Sequence, residues 1–175
     1  MRARARSAVV ATGGRLPSTP VKISARTLMV YVNHALASMG AALDRFDDGS
    51  VNVAPHGPGT NSAAALIVHA CASSTYWLGH VGLGRPGERD RDAEFGVTAT
   101  VEELRALLAR TGEQLTELII EVDAGPAVTD HELRVFLHDG DASDGSVVLH
   151  VFEELYQHLG HLELTADALH PPAPA

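Results

Sequence analysis

Residues 146–169 read SVVLHVFEELYQHLGHLELTADAL, and this stretch decides the fold. Its apolar residues recur every three or four positions, which predicts an amphipathic helix. The stripe consists of Val148, Phe152, Leu155, Leu159 and Leu162. Glu154 and His158 lie beside this stripe at positions i and i+4, so their side chains project from one face of the helix. A carboxylate and an imidazole buried without partners would cost free energy, and a divalent metal ion is the simplest compensation.

A third ligand for such an ion is available on another apolar helix. His69 would add a second imidazole to Glu154 and His158 and complete a site of mixed nitrogen and oxygen donors. The alternative for the pair is a hydrogen-bonded polar seam, and a lone histidine on an apolar face is more often a satisfied core residue. The three residues together favour the metal site, because helical bundles build such sites from inward-facing side chains.

Apolar periodicity and turn signals predict four helices. They cover approximately residues 24–46, 61–83, 100–118 and 146–169. Short connections between long amphipathic helices predict the all-α class and a four-helix bundle. Residues 119–138 are predicted to form an irregular or partly extended segment between the third and fourth helices.

Local signals mark the helix ends and the connections. Asn61 or Ser62 is the predicted N-cap of the second helix, and residues 100–103 form the capping box of the third. The Pro- and Gly-rich residues 51–60 predict a long ordered loop. Residues 85–95 are predicted to be a charged connection.

The composition is typical of a globular protein with one domain. The chain has 175 residues, of which 45% are hydrophobic and 20% are charged, and its mean hydropathy is +0.03. A formal net charge of -9 argues against a nucleic-acid backbone as the partner, because phosphate binding requires a basic surface. A local basic patch at Arg85, Arg89 and Arg91 remains open.

Cysteine usage and the length of the apolar runs bear on location. Cys71 is the one cysteine of the sequence, so no intramolecular disulfide can form and a cytoplasmic protein is predicted. No apolar run approaches the roughly 20 residues that a bilayer span requires, and no membrane contact is expected. Residues 21–170 are the predicted domain. Residues 1–20 are expected to be a disordered leader, or to be included only because the start codon was assigned too early. Residues 171–175 form a Pro-rich tail.

Four segments resemble one known family in their order along the chain. They are PGTNSAAALIVH at 58–69, YWLGH at 76–80, RDRDAEF at 89–95 and HVFEELYQHLGH at 150–161. Over residues 24–169 the sequence resembles the DinB-like metal-binding superfamily. Within it, the sequence is most similar to the branch related to the N-terminal domain of mycothiol-dependent maleylpyruvate isomerase.

The resemblance implies a four-helix bundle that binds a divalent metal ion, often zinc. The family takes one histidine from the second helix and two residues from the fourth, which places the ligands at His69, Glu154 and His158. Most members have His-x-x-x-His in the fourth helix, whereas the isomerase-like branch begins this motif with Glu, as here. Three such ligands leave one coordination position open, as in catalytic zinc sites. The donor set also suits nickel, iron and manganese.

The resemblance further implies chemistry on a low-molecular-weight thiol. We predict a metal-dependent thiol S-transferase that uses mycothiol or a related thiol to attack an electrophilic small molecule. His161 is the predicted catalytic residue, and a ligand-orienting or plain core histidine is the alternative. Tyr76, His80 and Arg91 are predicted to bind the substrate.

Two other functions stay open. One is a non-enzymatic bundle that sequesters a metal or a small molecule. It is favoured because the family motif continues with Arg-Glu where this chain has Ala166 and Asp167. The other is a metal-free polar core in a protein that works through dimerisation, since members of this family often form homodimers.

Overall fold

The computed structural model of the protein describes residues 23–57, 59–124 and 144–171. All regular secondary structure in these ranges is helical, which confirms the all-α class. The helices are α1 (Ala25–Ala42), α2 (Ala63–Tyr76), α3 (Arg91–Phe95), α4 (Val101–Ala124) and α5 (Asp144–Leu169). The predicted leader at 1–20, most of the predicted tail and the segment 125–143 lie outside the described residues.

The four long helices pack in pairs around one core. α1 packs against both α4 and α5, and α2 packs against the same two helices from the other side. The buried side chains come from all four, because each presents an apolar face at helical spacing. Among the largest fully buried side chains are Met39, Ile67, Leu78, Leu115, Leu155 and Leu162. No helix in the described part of the chain is long and apolar enough to cross a bilayer.

α2 is the most buried of the described helices, because its residues are apolar on almost every side. Ser62 is its N-cap, and the Ser62 hydroxyl accepts a hydrogen bond from the Ala65 N–H at 3.1 Å. After Tyr76 the helix widens into a π-helical turn at Trp77–Gly82. The chain then leaves through Gly84, whose φ of 64° lies in the left-handed region that favours glycine.

A fifth helix corrects the prediction for residues 85–95. α3 spans only five residues, Arg91–Phe95, and follows Asp90, whose carboxylate accepts a hydrogen bond from the Ala93 N–H at 3.0 Å. A helix this short shows no apolar periodicity, so the charged sequence was mistaken for a plain connection. It packs against α2 and carries Glu94 into the interior.

The third predicted helix is longer than its periodicity suggested. α4 begins at the predicted capping box, in which Thr100 and Glu103 each accept a hydrogen bond from the other's backbone N–H. It continues to Ala124, so the prediction of irregular or extended structure at 119–122 was wrong. Ile119 and Val122 are β-branched residues of modest helix propensity, but both are buried on the core face, and this packing decides the helical conformation.

Candidate metal centre

Three side chains from α2 and α5 converge at one point of the interior. One ligand atom each from His69, Glu154 and His158 lies within 4.8 Å of the other two. Nε2 of His69 lies 3.4 Å from Oε2 of Glu154, and Nε2 of His158 lies 3.7 Å from the same oxygen. The structure therefore brings together the three residues that the sequence predicted as ligands.

The helices fix these positions for simple geometric reasons. Glu154 and His158 are one turn apart on α5, so they share a face. That face packs against α2, and the buried residues of α2 include His69, which is 3% exposed. The side chains of Glu154 and His158 are 17% and 12% exposed, so one side of the cluster is open to solvent.

His69 is held in one orientation by a carboxylate on its far side. Nδ1 of His69 lies 2.8 Å from Oε2 of Glu94 and 3.2 Å from Nη2 of Arg89; the shorter contact is with a carboxylate, which only accepts, and it favours the hydrogen on Nδ1. Arg89 completes the arrangement by donating from Nε to Oε1 at 2.6 Å and from Nη2 to Oε2 at 2.8 Å. The guanidinium compensates the buried charge of Glu94, which is 7% exposed.

The orientation of the His69 ring bears on whether the cluster suits a cation. With the hydrogen on Nδ1, a neutral His69 turns the lone pair of Nε2 toward the Glu154 carboxylate, another acceptor. Two acceptors 3.4 Å apart repel each other unless a positive charge, either a metal ion or a proton on Nε2, lies between them. Two imidazoles and a carboxylate are also the donor types that zinc prefers, so the residues fit a divalent metal ion. A carboxylate on the outer nitrogen of a ligating histidine is the usual support of such ligands.

The Glu154 carboxylate is kept ionised by its partners. Burial acts to raise its pKa, but the close approach of His158 and His69 and the hydrogen bond from Ser73 lower it by more, and the charge of His158 adds to them. The net pKa lies well below the ordinary value of a glutamate. Ser73 contributes by donating its hydroxyl to Oε2 at 3.0 Å. An ionised carboxylate is the form that binds a metal.

A cavity of about 570 Å³ opens directly in front of the cluster. His69, Glu154 and His158 line it, together with two other residues predicted from the sequence, His161 and Arg91. The ring of His161 lies 5.5 Å from that of His158, centroid to centroid. Arg91 lies over the ring of Phe95, which in turn packs on His69 with centroids 4.6 Å apart. The cavity is large enough for a small organic molecule.

The other two predicted substrate residues lie in a different cavity. Tyr76 and His80 stack with centroids 4.8 Å apart and line a cavity of about 590 Å³. Glu94 and Arg89 form part of its wall, so their ion pair lies between this cavity and His69. The structure does not bring Tyr76 and His80 to the cavity of the metal cluster, and their role in binding stays a prediction.

Comparison with known proteins agrees with this geometry. A family model of the DinB superfamily matches residues 32–162, about three quarters of the chain. This chain belongs to the DinB superfamily. The superfamily is a metal-binding one, and the matched range contains all three residues of the cluster. No curated protein matches the chain, and no solved structure matches it either.

Glu94, which contacts His69, was not among the site residues predicted from the sequence. Glu94 is part of the segment 89–95 that resembles the superfamily, yet its role depends on a long-range contact with His69. The sequence does carry one signal for Glu94: it is an acidic residue four positions after the helix cap Asp90 and directly before Phe95. That pattern places Glu94 on a helix but gives no reason to bury it, so only the tertiary contact identifies it.

The side chain of Cys71 is not part of the cluster. Cys71 is 2% exposed and lies near Thr111 and Arg110 of α4. Burial raises the pKa of its thiol to about 11, although the hydrogen bond with Thr111 and the charge of Arg110 oppose the shift. A neutral, buried thiol is a poor nucleophile.

Proposed function

We propose that this DinB protein is a metal-dependent thiol S-transferase. It would activate mycothiol or a related low-molecular-weight thiol on a divalent metal ion, zinc by expectation, for attack on an electrophilic small molecule. The observation that carries the proposal is a three-ligand cluster, His69, Glu154 and His158, at the wall of a cavity of about 570 Å³. Three protein ligands are the number found in catalytic zinc sites, which keep the fourth position for water or substrate.

One sequence motif supports the choice of thiol, and the four long helices support the choice of fold. The Glu154-x-x-x-His158 motif is the form seen in the mycothiol-dependent branch that the sequence resembles. The proposal takes α1, α2, α4 and α5 as the four-helix bundle of the superfamily, with α3 as a support for His69.

Some residues of the site would hold the metal ligands in position, and others would take part in the reaction. Glu94 fixes His69, and Ser73 holds one oxygen of Glu154, so the ligands are oriented before anything binds. A bound divalent metal supplies a Lewis acid that favours the thiolate over the thiol. His161 lies beside His158 at the cavity wall, where an imidazole can take up the proton that the thiol loses.

The overall reaction balances without a further reactant. The thiol S–H bond breaks, its sulfur forms a bond to the electrophilic carbon, and a leaving group departs with the electron pair of its old bond. The proton leaves through a base at the cavity wall or through water. Arg91 lies at the same wall and offers a positive charge to an anionic substituent or leaving group.

Metal content is the first test of this proposal. Purified protein is expected to carry about one divalent ion per chain by elemental mass spectrometry, because the part of the chain that the structure describes holds one three-ligand cluster. His158→Ala is expected to lose it, and His170→Ala, directly after the end of α5 and outside the cluster, is expected to keep it. Wild-type protein that takes up no zinc from a supplemented buffer would refute the metal centre.

A conjugation assay then separates an enzyme from a binding protein. Metal-loaded protein, mycothiol and 1-chloro-2,4-dinitrobenzene are incubated, and the thioether and chloride are quantified against His158→Ala. Faster conjugation with the wild type supports the transferase. If mycothiol raises the melting temperature of the metal-loaded protein but no tested electrophile is conjugated, the alternative of a metal and small-molecule binding protein is favoured. Ala166 and Asp167, in place of the family's Arg-Glu, favour that alternative on sequence grounds.

A further inference from the structure

The Glu154 carboxylate faces two different environments with its two oxygens. Oε2 faces the metal cluster, where Ser73 donates to it and both ligand histidines approach it. Oε1 lies on the other side, 4.0 Å from Nε2 of His150. His150 comes one turn before Glu154 on α5 and was not among the residues predicted for the site.

Packing holds the His150 ring in place. The ring is 13% exposed and lies against the indole of Trp77, with centroids 4.2 Å apart and planes at 63°. Trp77 itself is 5% exposed and belongs to the π-helical turn that follows α2. Nδ1 of His150 is buried and has no hydrogen-bond partner among the residues that the structure describes, although Glu153 Oε2 lies 3.6 Å away.

We propose that His150 is a positioning residue of the metal centre. It acts through Oε1 of Glu154 and keeps Oε2 turned toward His69 and His158. The proposal rests on the proposed function, because it assumes that a metal ion binds at the cluster. The separation of 4.0 Å is too long for a direct hydrogen bond, so the interaction is a charge contact or passes through one water molecule.

The physical reason is the freedom of a carboxylate group. A glutamate can turn about its last bond and present either oxygen, or both, to a metal ion. A donor on the outer oxygen removes part of that freedom before the ion arrives, so less entropy is lost on binding. Outer partners of this kind are typically worth about 10–100-fold in metal affinity.

The same contact connects the metal centre to a spectroscopic probe. Trp77 is the one tryptophan of the sequence, so its fluorescence can be assigned without ambiguity. Because the His150 ring touches Trp77 and approaches Glu154, a metal ion at the cluster is expected to change Trp77 emission through His150. Loss of this signal in a variant that still binds metal would report the connection itself.

The experiment compares three variants with the wild type. His150→Gln keeps an N–H donor near the position of Nε2, whereas His150→Phe keeps the ring volume and removes the donor. His170→Phe is the matched control, because His170, the residue directly after α5, is also a partly buried histidine that packs edge-on against an aromatic ring, that of Phe46. Each metal-free protein is titrated with Zn²⁺ in a chelator buffer, and both calorimetry and Trp77 fluorescence are recorded.

We expect His150→Phe to bind zinc about 10–100-fold more weakly and to lose the fluorescence change. His150→Gln is expected to recover most of the affinity, and His170→Phe to match the wild type. A folded His150→Phe protein with unchanged zinc affinity would overturn the proposal. If His150→Phe does not fold, His150→Leu takes its place and is judged by the same criterion.

Two further outcomes are distinguishable from these. Two zinc ions per wild-type chain, reduced to one in His150→Phe, would make His150 a ligand of a second ion and overturn its positioning role. Absence of zinc binding in the wild type would refute the proposed metal centre itself, and this inference with it. Equal binding by all four proteins would leave the metal centre intact and refute only the role of His150.

Discussion

The metal centre depends on how single residues are held. His69 lies between two carboxylates, Glu94 on its Nδ1 side and Glu154 on its Nε2 side. The first carboxylate is neutralised by Arg89, and the second is free to bind a cation. This asymmetry favours one tautomer of the His69 imidazole. The two predictions for single residues concern these two carboxylates, Glu94 and Glu154.

The first prediction concerns the carboxylate behind His69. Glu94→Gln replaces a charged acceptor by a neutral amide of the same shape, so the hold on Nδ1 weakens and Arg89 loses its counter-charge. Zinc affinity is expected to fall about 10–100-fold, measured by competition with a chelator. Glu117→Gln, at an acidic position in the wall of the second cavity, is the control and should leave the affinity unchanged. Equal affinity in both variants would show that Glu94 does not orient His69.

The second prediction concerns the Glu154 carboxyl in metal-free protein. Its pKa in the folded state lies below the ordinary 4.5, so the unfolded chain takes up a proton at a higher pH than the folded one. The stabilisation is therefore complete above pH 4.5 and is lost as the pH falls through the folded-state pKa. The free energy of unfolding, followed by urea denaturation, should fall less steeply with acid in Glu154→Gln. Exposed Glu163→Gln should follow the wild type, and parallel profiles for all three would contradict the lowered pKa.

At the scale of helices, local signals located the starts of α2 and α4 well, and the short α3 and the end of α4 badly. The capping box at Thr100–Glu103 and the N-cap Ser62 are where the sequence placed them, because each rests on contacts between near neighbours in the chain. α3 and the last turns of α4, including Ile119 and Val122, were missed. Their helical state depends on burial against other helices, which local propensity does not record.

The prediction at this scale compares two N-caps. Ser62→Ala removes the acceptor of the Ala65 N–H in a buried position, and is expected to lower the free energy of unfolding by about 1 kcal/mol. Ser24→Ala makes the same change at the exposed start of α1, where water can replace the hydroxyl, so its effect should be smaller. Urea denaturation measures both. An equal loss in the two variants would show that burial of the Ser62 cap adds nothing.

At the scale of the whole molecule, the residues of the cluster come from both α2 and α5. His69 comes from one helix and Glu154 and His158 from the other, so a bound ion would connect elements that otherwise meet through packing. A ligand that binds only the folded state stabilises it by mass action. The metal centre therefore has a consequence for the stability of the whole domain.

The prediction at this scale is a metal-dependent melting temperature. Free zinc at a hundredfold excess over its Kd stabilises the folded state by about 2.7 kcal/mol, equivalent to about 5–10 °C for a domain of this size. Differential scanning calorimetry should show this rise for the wild type and none for His158→Ala. Magnesium prefers oxygen ligands and should cause little change in either. A zinc-induced rise that persists in His158→Ala would place the ion elsewhere.

The sequence by itself determined the all-α class, the approximate extent of four long helices and the three residues of the cluster. The helices and the Glu154–His158 pair follow from periodicity and i, i+4 spacing within one helix, whereas His69 was added as a histidine of another apolar helix and through the resemblance to the DinB-like superfamily. Only the tertiary structure decided that α3 brings Glu94 and Arg89 behind His69, that Tyr76 and His80 line another cavity, and that His150 approaches Glu154. Such contacts depend on how helices distant in sequence are rotated and packed, and the spacing of residues within one helix carries no record of its neighbour.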